Sequence, residues 1–569
     1  MVDFIGGSVF MRVRNFALVA ALGLVALPLQ AATAEPDTAR APSINAADFA
    51  RFDKTLSSDA FGGRKPGTIG AQRTTDFLVA EFKRMGLQPG NHGSWFQTVP
   101  ADSTSLLNTD VTLDVAAGGK PLKLAYRTDM VAQTLQAKAE VALKDSPVVF
   151  LGYGADAPAW HWNDYRDVDV KGKTVIVLVN DPGFASRDPK LFNGRAMTWY
   201  GRWPYKYAEA ALQGAAACFI VHTSDAAAGY PWSVLQNGAV GPQLSLPASV
   251  DPSPRLPVAG WLTRDAATRL FAAAGFDFAE LERAAAKPGF QPVPLHATAS
   301  ITLHNKIGHI ESKNVLAMVK GSARPDEVVV YTAHWDHLGT DPTRKGHQVY
   351  AGAVDNGTGL SMLLQIAGAF AHQAKPPERS VLFFMPTLEE SGLLGSQYYA
   401  AKPVFPMNRT VADIAVDALP VIGPAHDMTV IGKGQSELED MLAGVLRKQG
   451  RVISPETTPE NGFYFRSDHF NFARAGVPAM LASSGLDLID GGRAAGEKAA
   501  EDYTAHRYHT TNDVFDPHWN LEGILQDTQA LYELGQHLSH AGVWPQWYAG
   551  NPFKAARDAM MKPAAPPSK

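Results

Sequence analysis

Three apolar runs in the second half of this chain each lead, within a few residues, to a side chain able to hold a metal or move a proton. Val328 to Tyr331 leads to His334, Val381 to Met385 to the adjacent pair Glu389-Glu390, and Ile414 to Val416 to Asp417. Val315 to Val319 and Ala479 to Leu481 are further strand candidates. Between the runs lie helical segments. The clearest carries Leu360, Leu363, Leu364, Ala367 and Phe370 on one face at the 3.6-residue period. Strands alternating with helices predict an α/β fold with a mainly parallel sheet flanked by helices. In such sheets, sites gather beyond the carboxyl ends of the strands, so residues distant in sequence converge on one crevice.

Two more ligand-type residues lie in loops: Asp355, in AGAVDNGTG ahead of a helix, and His509, in RYHTTND. Two histidines and three carboxylates match the imidazole nitrogen and carboxylate oxygen that zinc accepts. An aspartate can give one oxygen to each of two metals. Any one of these residues alone has an ordinary reading as a helix cap or a hydrogen-bonded core group. The force lies in five occurring together beside a spare glutamate.

With 569 residues, the chain is too long for one ordinary domain. A hydrophobic share of 46% and a charged share of 19% suit a globular protein with a real core. The net charge is −5 and no basic tract appears, which argues against nucleic acid as a partner. Arg12 and Arg14 precede an apolar run from Phe16 to Leu29, and Ala32-Thr33-Ala34 follows. This order reads as a secretory signal peptide over residues 1–34, with translation starting at Met1 or Met11. The apolar run is shorter than the ~20 residues of a spanning helix. The mature protein is expected to be periplasmic or secreted, without stable membrane association. The single cysteine, Cys218, reads as a small buried residue.

Toward the N-terminus, Thr74, Phe77, Leu78, Phe82 and Met85 recur at helical spacing, with Gly86 as the C-terminal cap. From about residue 105 the texture changes to short β-like runs, VTLDV, SPVVFLGYG and GKTVIVLVNDP, followed by a βαβ-like stretch through Ala217 to Val221. Its aromatics, Trp160, Trp162, Trp199, Tyr200, Trp203 and Tyr205, read as core or interdomain packing. Residues 549–569, ending in KPAAPPSK, read as a mobile tail.

The motifs YTAHWDH, GAVDNGTG, TLEESGLLGS, VDAL and YHTTND resemble, in order, those of the di-zinc exopeptidases, the family of secreted bacterial aminopeptidases and glutamate carboxypeptidase II. GGRKPGTIG and GLQPG resemble its N-terminal segment. The middle unit, with GYG, NDY and GAAACFIVH, is similar to the β-rich protease-associated domain that many members carry as an insertion. The resemblance implies a peptidase domain in two parts, residues 40–104 and 296–548, with the inserted domain at 105–295. It implies two zinc ions per chain, one held by His334 and Asp417, the other by Glu390 and His509, with Asp355 bridging and Glu389 as general base. It also implies a cis peptide at Asp355-Asn356, and Asp336 as the carboxylate that orients the His334 ring.

In NGFYFRSDHFNFARAG, Tyr464 stands where some aminopeptidases place a tyrosine that binds the reacting oxygen; a core aromatic is the equal alternative. Arg466, Ser467, Asp468 and His469 can line the site or serve structure, and Arg466 can hold a carboxylate. His337 and His347 read as loop or surface residues. The expected activity is hydrolysis of terminal bonds of a peptide substrate, first as an aminopeptidase, then as a carboxypeptidase or dipeptidase. Glutaminyl cyclase, with one zinc, and a receptor-like relative that has lost the metals are more distant alternatives. Neither G-x-S-x-G nor H-E-x-x-H is present.

Overall fold

A computed structural model describes residues 40–562 apart from positions 109 and 240; the signal-type segment lies outside the described residues. Four strands form the parallel centre of the sheet: Arg379–Met385, Arg324–Thr332, Thr410–Val416 and Ala479–Ser484, in that spatial order. All but a few of their residues are buried, as strands covered on both faces require. Antiparallel Val293–Val319 flanks Arg379–Met385, and Asp427–Ile431 flanks Ala479–Ser484. The expected helix is Gly359–His372, and its residues up to Phe370 are all buried. It packs between Ala46–Leu56 and Glu522–His540 in the core below the crevice. The N-terminal helix runs Ile69–Arg84, with Gly86 at φ 84° past its end.

The chain leaves this sheet and returns to it along one two-stranded ribbon. Phe96–Leu106 pairs with Val293–Val319 from Val315↔Phe96 to Asn305↔Leu106. The first part of that 27-residue strand, Val293 to His304, pairs in a second β-rich unit instead, so the re-entry lies about ten residues beyond the expected boundary at 295. Within that unit Glu140–Phe150, Thr174–Leu178, Ala217–His222 and Val258–Thr263 run parallel around a separate core. Cys218 is buried there, and burial pushes its thiol up to about 12. Trp199 reaches out of the unit onto Phe470 and Phe465 beside the main sheet, at ring separations of 4.7 and 5.9 Å.

The expected mobile tail is corrected in its first part. Lys554–Met560 is a helix, and Arg557, 1% exposed, donates from Nη1 to the main-chain oxygens of Met407 and Thr410 and lies over the Trp544 ring. The Ala/Pro-rich composition hid a buried cation with a defined place. No described helix is long and apolar enough to cross a membrane.

Candidate metal centre

The three strand ends deliver their side chains side by side. His334 follows Arg324–Thr332 by two residues, Glu389 and Glu390 follow Arg379–Met385, and Asp417 follows Thr410–Val416 directly. Asp355 arrives from the turn ahead of Gly359–His372, with a cis Asp355-Asn356 peptide as implied. Asp355 Oδ1 lies 3.3 Å from His334 Nε2, and its Oδ2 lies 3.0 Å from His509 Nε2. His334 Nε2 is also 3.0 Å from Asp417 Oδ1, and His509 Nε2 is 3.2 Å from Glu390 Oε2. All five expected ligands therefore meet, with the two oxygens of one aspartate turned toward two separate ligand pairs. Glu389 joins them, its Oε2 3.9 Å from His334 Nε2.

The donor set fits divalent metal. Among the described residues, the only cationic partners of Asp355, Glu389, Glu390 and Asp417 are imidazoles. His334 Nδ1 donates to the Asp336 main-chain oxygen at 3.1 Å, which leaves the Nε2 lone pair facing the carboxylates. Burial alone would lower the pKa of His334, but Asp417 and Glu389 carry it well above the usual histidine range. Burial likewise opposes ionisation of Asp355, yet its bonds to His334 and His509 hold it well below the carboxylate range. Without a cation, the imidazoles must keep protons that the carboxylates demand. Glu389 has no such partner at hydrogen-bond distance; burial first, then the charges of Asp417, Glu390 and Asp468, raise it well above the usual range.

Asp336 serves differently from expectation. Its main-chain oxygen, not its carboxylate, holds the His334 ring; the nearest carboxylate oxygen is 4.0 Å away. That carboxylate, pushed up to about 7 by burial, accepts from the Glu389 main-chain N–H at 3.1 Å and so fixes the backbone of the expected base. Tyr464 is a core aromatic: it packs on Gly432 and stands edge-on to His469 at 4.8 Å, and the charges acting on it are those of Glu439 and Asp413. The tyrosine beside the ligands is Tyr508, stacked on His509 at 3.9 Å. Crowding around its phenol, then the charges of Asp355, Glu390, Glu389 and Asp417, raise its pKa; with 40% of the residue exposed, the charges are the firmer cause.

Several supporting residues carry no sequence signal of their own. His337, expected as a loop or surface residue, lies in the loop after Arg324–Thr332 but is 1% exposed, and its Nδ1 lies 2.5 Å from Glu390 Oε1. His337, Asp355 and Glu390 form one compact group of possible ligands, and His334, Asp355 and Asp417 a second. His347 is a surface residue as expected, paired with Asp59. Asp513 accepts from the N–H groups of Val354 and Asp355, at 3.0 and 3.1 Å. Arg64 is fully buried and donates to the main-chain oxygens of Trp335, Leu56, Ala351, Gly352 and Asp355. Gly352, at φ 58°, permits this: a Cβ there would lie 2.2 Å from the Asp355 oxygen and 2.7 Å from Arg64 Nη2.

Residues 314–532 match the sequence model of peptidase family M28. The aminopeptidase NAALADL1 of Mus musculus is 32% identical over 141 residues, 23% of this chain and 17% of that protein. A probable zinc metalloprotease of Pyrenophora teres f. teres is 37% identical over 87 residues, 15% of this chain and 18% of that protein. The chain thus spans less than a fifth of the length of these curated relatives. The solved aminopeptidase from Aneurinibacillus sp. strain AM-1 shares the fold, with a TM-score of 0.50 and 19% identity over 88% of this chain and 96% of that one. The stretch 314–532 that is similar to peptidase family M28 contains every expected ligand.

Proposed function

We propose that the protein is an exported zinc-dependent exopeptidase, first of all an aminopeptidase, with two zinc ions per chain. The observation that carries this reading is the arrangement around Asp355, whose two oxygens face His334 and His509 separately. His334, Asp417 and Asp355 would hold one ion, and His509, Glu390 and Asp355 the other. When bound, the ions supply an acidified water and polarise the scissile carbonyl. The protein's own residues do the rest. Glu389, its backbone held by Asp336, takes a proton from the attacking water and passes it to the leaving amine. Tyr508, whose ring stacks on His509, donates a hydrogen bond from its phenol to the developing oxyanion.

Export rests on the charged, apolar and small-residue order at the N-terminus, and implies a periplasmic or secreted location. The β-rich unit is read as a protease-associated domain from its sequence. It caps the crevice and restricts entry to chain ends; deletion that left selectivity unchanged would count against this. Turnover of aminoacyl p-nitroanilides, dipeptides and acyl-glutamates, with and without chelator, tests the activity. Hydrolysis of the first two classes, lost on chelation and in Glu389→Ala, is the expected result. Chelator-resistant activity, or full activity in that variant, would overturn the reading.

A further inference from the structure

The residue that aims the proposed base holds a backbone conformation that its own side chain disfavours. Leu388, directly before Glu389, sits at φ 57°, in the left-handed region that a leucine rarely adopts. The turn it makes carries the chain from strand Arg379–Met385 to Glu389 and sets the direction in which that carboxylate leaves the backbone. Glu389 itself is held at both main-chain atoms. Its N–H donates to Asp336 Oδ1 at 3.1 Å, and its oxygen accepts from the N–H groups of Gly392 and Leu393, each at 2.9 Å. The Leu388 oxygen accepts from the Leu394 N–H at 3.0 Å. These bonds fix the loop after the turn. The turn itself depends on the Leu388 side chain, which is fully buried.

Part of the cluster around that side chain comes from the β-rich unit. Between Ala217–His222 and Val258–Thr263 the chain leaves the unit, and Gln243–Ser245 pairs antiparallel with Phe96–Leu106, from Gln243↔Thr104 to Ser245↔Asp102. The next residue, Leu246, is 2% exposed and shares an apolar cluster with Leu388, Leu394, Val99 and Ala101. This cluster is separate from the cores of the main sheet and of the β-rich unit. The strap is clamped at two further points. Arg255 Nη2 donates to the main-chain oxygens of Leu246 and Asp251, at 2.5 and 3.2 Å. Asp251 Oδ2 accepts from Gln397 Nε2 at 3.0 Å, on the helix Leu394–Ala401 that follows the glutamate loop. Leu246 is thus tied in place on both sides of the cluster that encloses Leu388.

We propose that Leu246 is a positioning residue for Glu389: by closing the cluster around Leu388 it keeps the left-handed turn in place, so that the β-rich unit contributes to proton transfer through the backbone and not only by covering the crevice. This rests on the exopeptidase reading and deepens it. A left-handed leucine persists only where its surroundings over-determine it. Cutting Leu246 back to alanine opens space in the cluster, and the turn relaxes toward the right-handed or extended regions. The Glu389 carboxylate then swings away from its place beside His334.

The test uses the full metal-loaded chain, whichever aminoacyl p-nitroanilide, dipeptide or acyl-glutamate the unaltered enzyme turns over, and two readouts. The first is kcat per zinc-loaded folded chain, so that loss of protein or metal does not enter. Leu246→Ala is expected to lower kcat by about tenfold to a hundredfold and to change KM by less than about twofold. Leu246→Met refills the space and is expected to restore most of the loss. Leu388→Gly permits the left-handed backbone but removes its anchor, and is expected to lower kcat to a similar degree. The double variant should fall no further than the lower of the two, because both act on one cluster. Leu270→Ala, in the separate core of the β-rich unit, is expected to lower stability and leave kcat unchanged. The second readout is amide hydrogen exchange over residues 387–394, which is expected to speed up in Leu246→Ala and not in Leu270→Ala. Unchanged kcat in Leu246→Ala, additive losses in the double variant, or unchanged exchange over that loop would overturn the positioning role alone. No turnover of any substrate by the unaltered enzyme would overturn the exopeptidase reading, and with it the base that Leu246 serves.

Discussion

Arg64 Nη2 donates to the main-chain oxygen of Asp355 at 3.2 Å, while the Asp355 carboxylate faces His334 and His509. Asp355 is thus held from its backbone by a buried cation. That cation also answers the charges of Asp53, Asp513 and Asp336 nearby. Removing it leaves several carbonyls and carboxylates buried without a partner. Arg64→Met is therefore expected to lose at least about 3 kcal/mol of stability. Its metal affinity should fall as well. Urea unfolding and zinc titration check this; a variant with unchanged stability and affinity would show that the arginine only fills space.

His337 steadies Glu390. Its Nδ1 at 2.5 Å from Oε1 leaves Oε2 turned toward His509. Substitution by alanine frees the carboxylate to rotate and removes a candidate donor from the group His337, Asp355, Glu390. His337→Ala is expected to weaken metal binding by about 10–100-fold, the usual cost of losing a residue that orients a ligand. Competition with a chelating dye reads this directly, without reference to turnover. Unchanged affinity would assign His337 to packing.

The division between what was legible in the sequence and what was not follows from how each residue acts. Val381 to Met385 and the face Leu360 to Phe370 repeat an apolar pattern, and such patterns predict strands and helices by themselves. The ligands were legible because metal chemistry restricts residue type and because each follows a patterned element. Arg64 and Asp513 lay within quoted motifs, yet both act on main-chain atoms of a distant loop. No pattern in a single sequence reports that. His337 had only its closeness to His334 as a clue. Tyr464 was singled out by its motif, whereas Tyr508 had only its place next to His509 as a clue. The stacking of Tyr508 on His509 and the packing of Tyr464 on Gly432 separate them, and both are tertiary facts.

Glu389 and Asp355 should fail in different ways. Glu389 touches no partner at hydrogen-bond distance and is placed through its backbone, so Glu389→Gln changes proton transfer and little else. A drop in kcat of about 10²–10⁴ is expected. Metal content should stay at that of the unaltered protein. Asp355→Ala removes the residue that joins both ligand pairs, so metal content itself should collapse. Elemental analysis beside steady-state kinetics distinguishes the two. Loss of metal in Glu389→Gln would move that residue from proton carrier to ligand.

His469 offers a pH test in the folded core. It is fully buried, neither ring nitrogen has a good hydrogen-bond partner, and burial drives its pKa down to about 3 against only a marginal contact with the Tyr464 backbone. In the unfolded chain it titrates near 6.5. Between those values the unfolded state binds the extra proton, so this contribution to stability is fully present above about 6.5 and is lost progressively as pH falls toward 3. The slope for one such group approaches about 1.4 kcal/mol per pH unit. Groups raised by burial, such as Asp468, slope the other way, so the difference between two proteins is the cleaner reading. The unaltered protein is expected to lose more stability than His469→Leu between pH 6.5 and 4, by urea midpoints at each pH. Parallel curves would mean that His469 is protonated in the folded state and has found an acceptor, for which Asp468 is the nearest candidate in sequence.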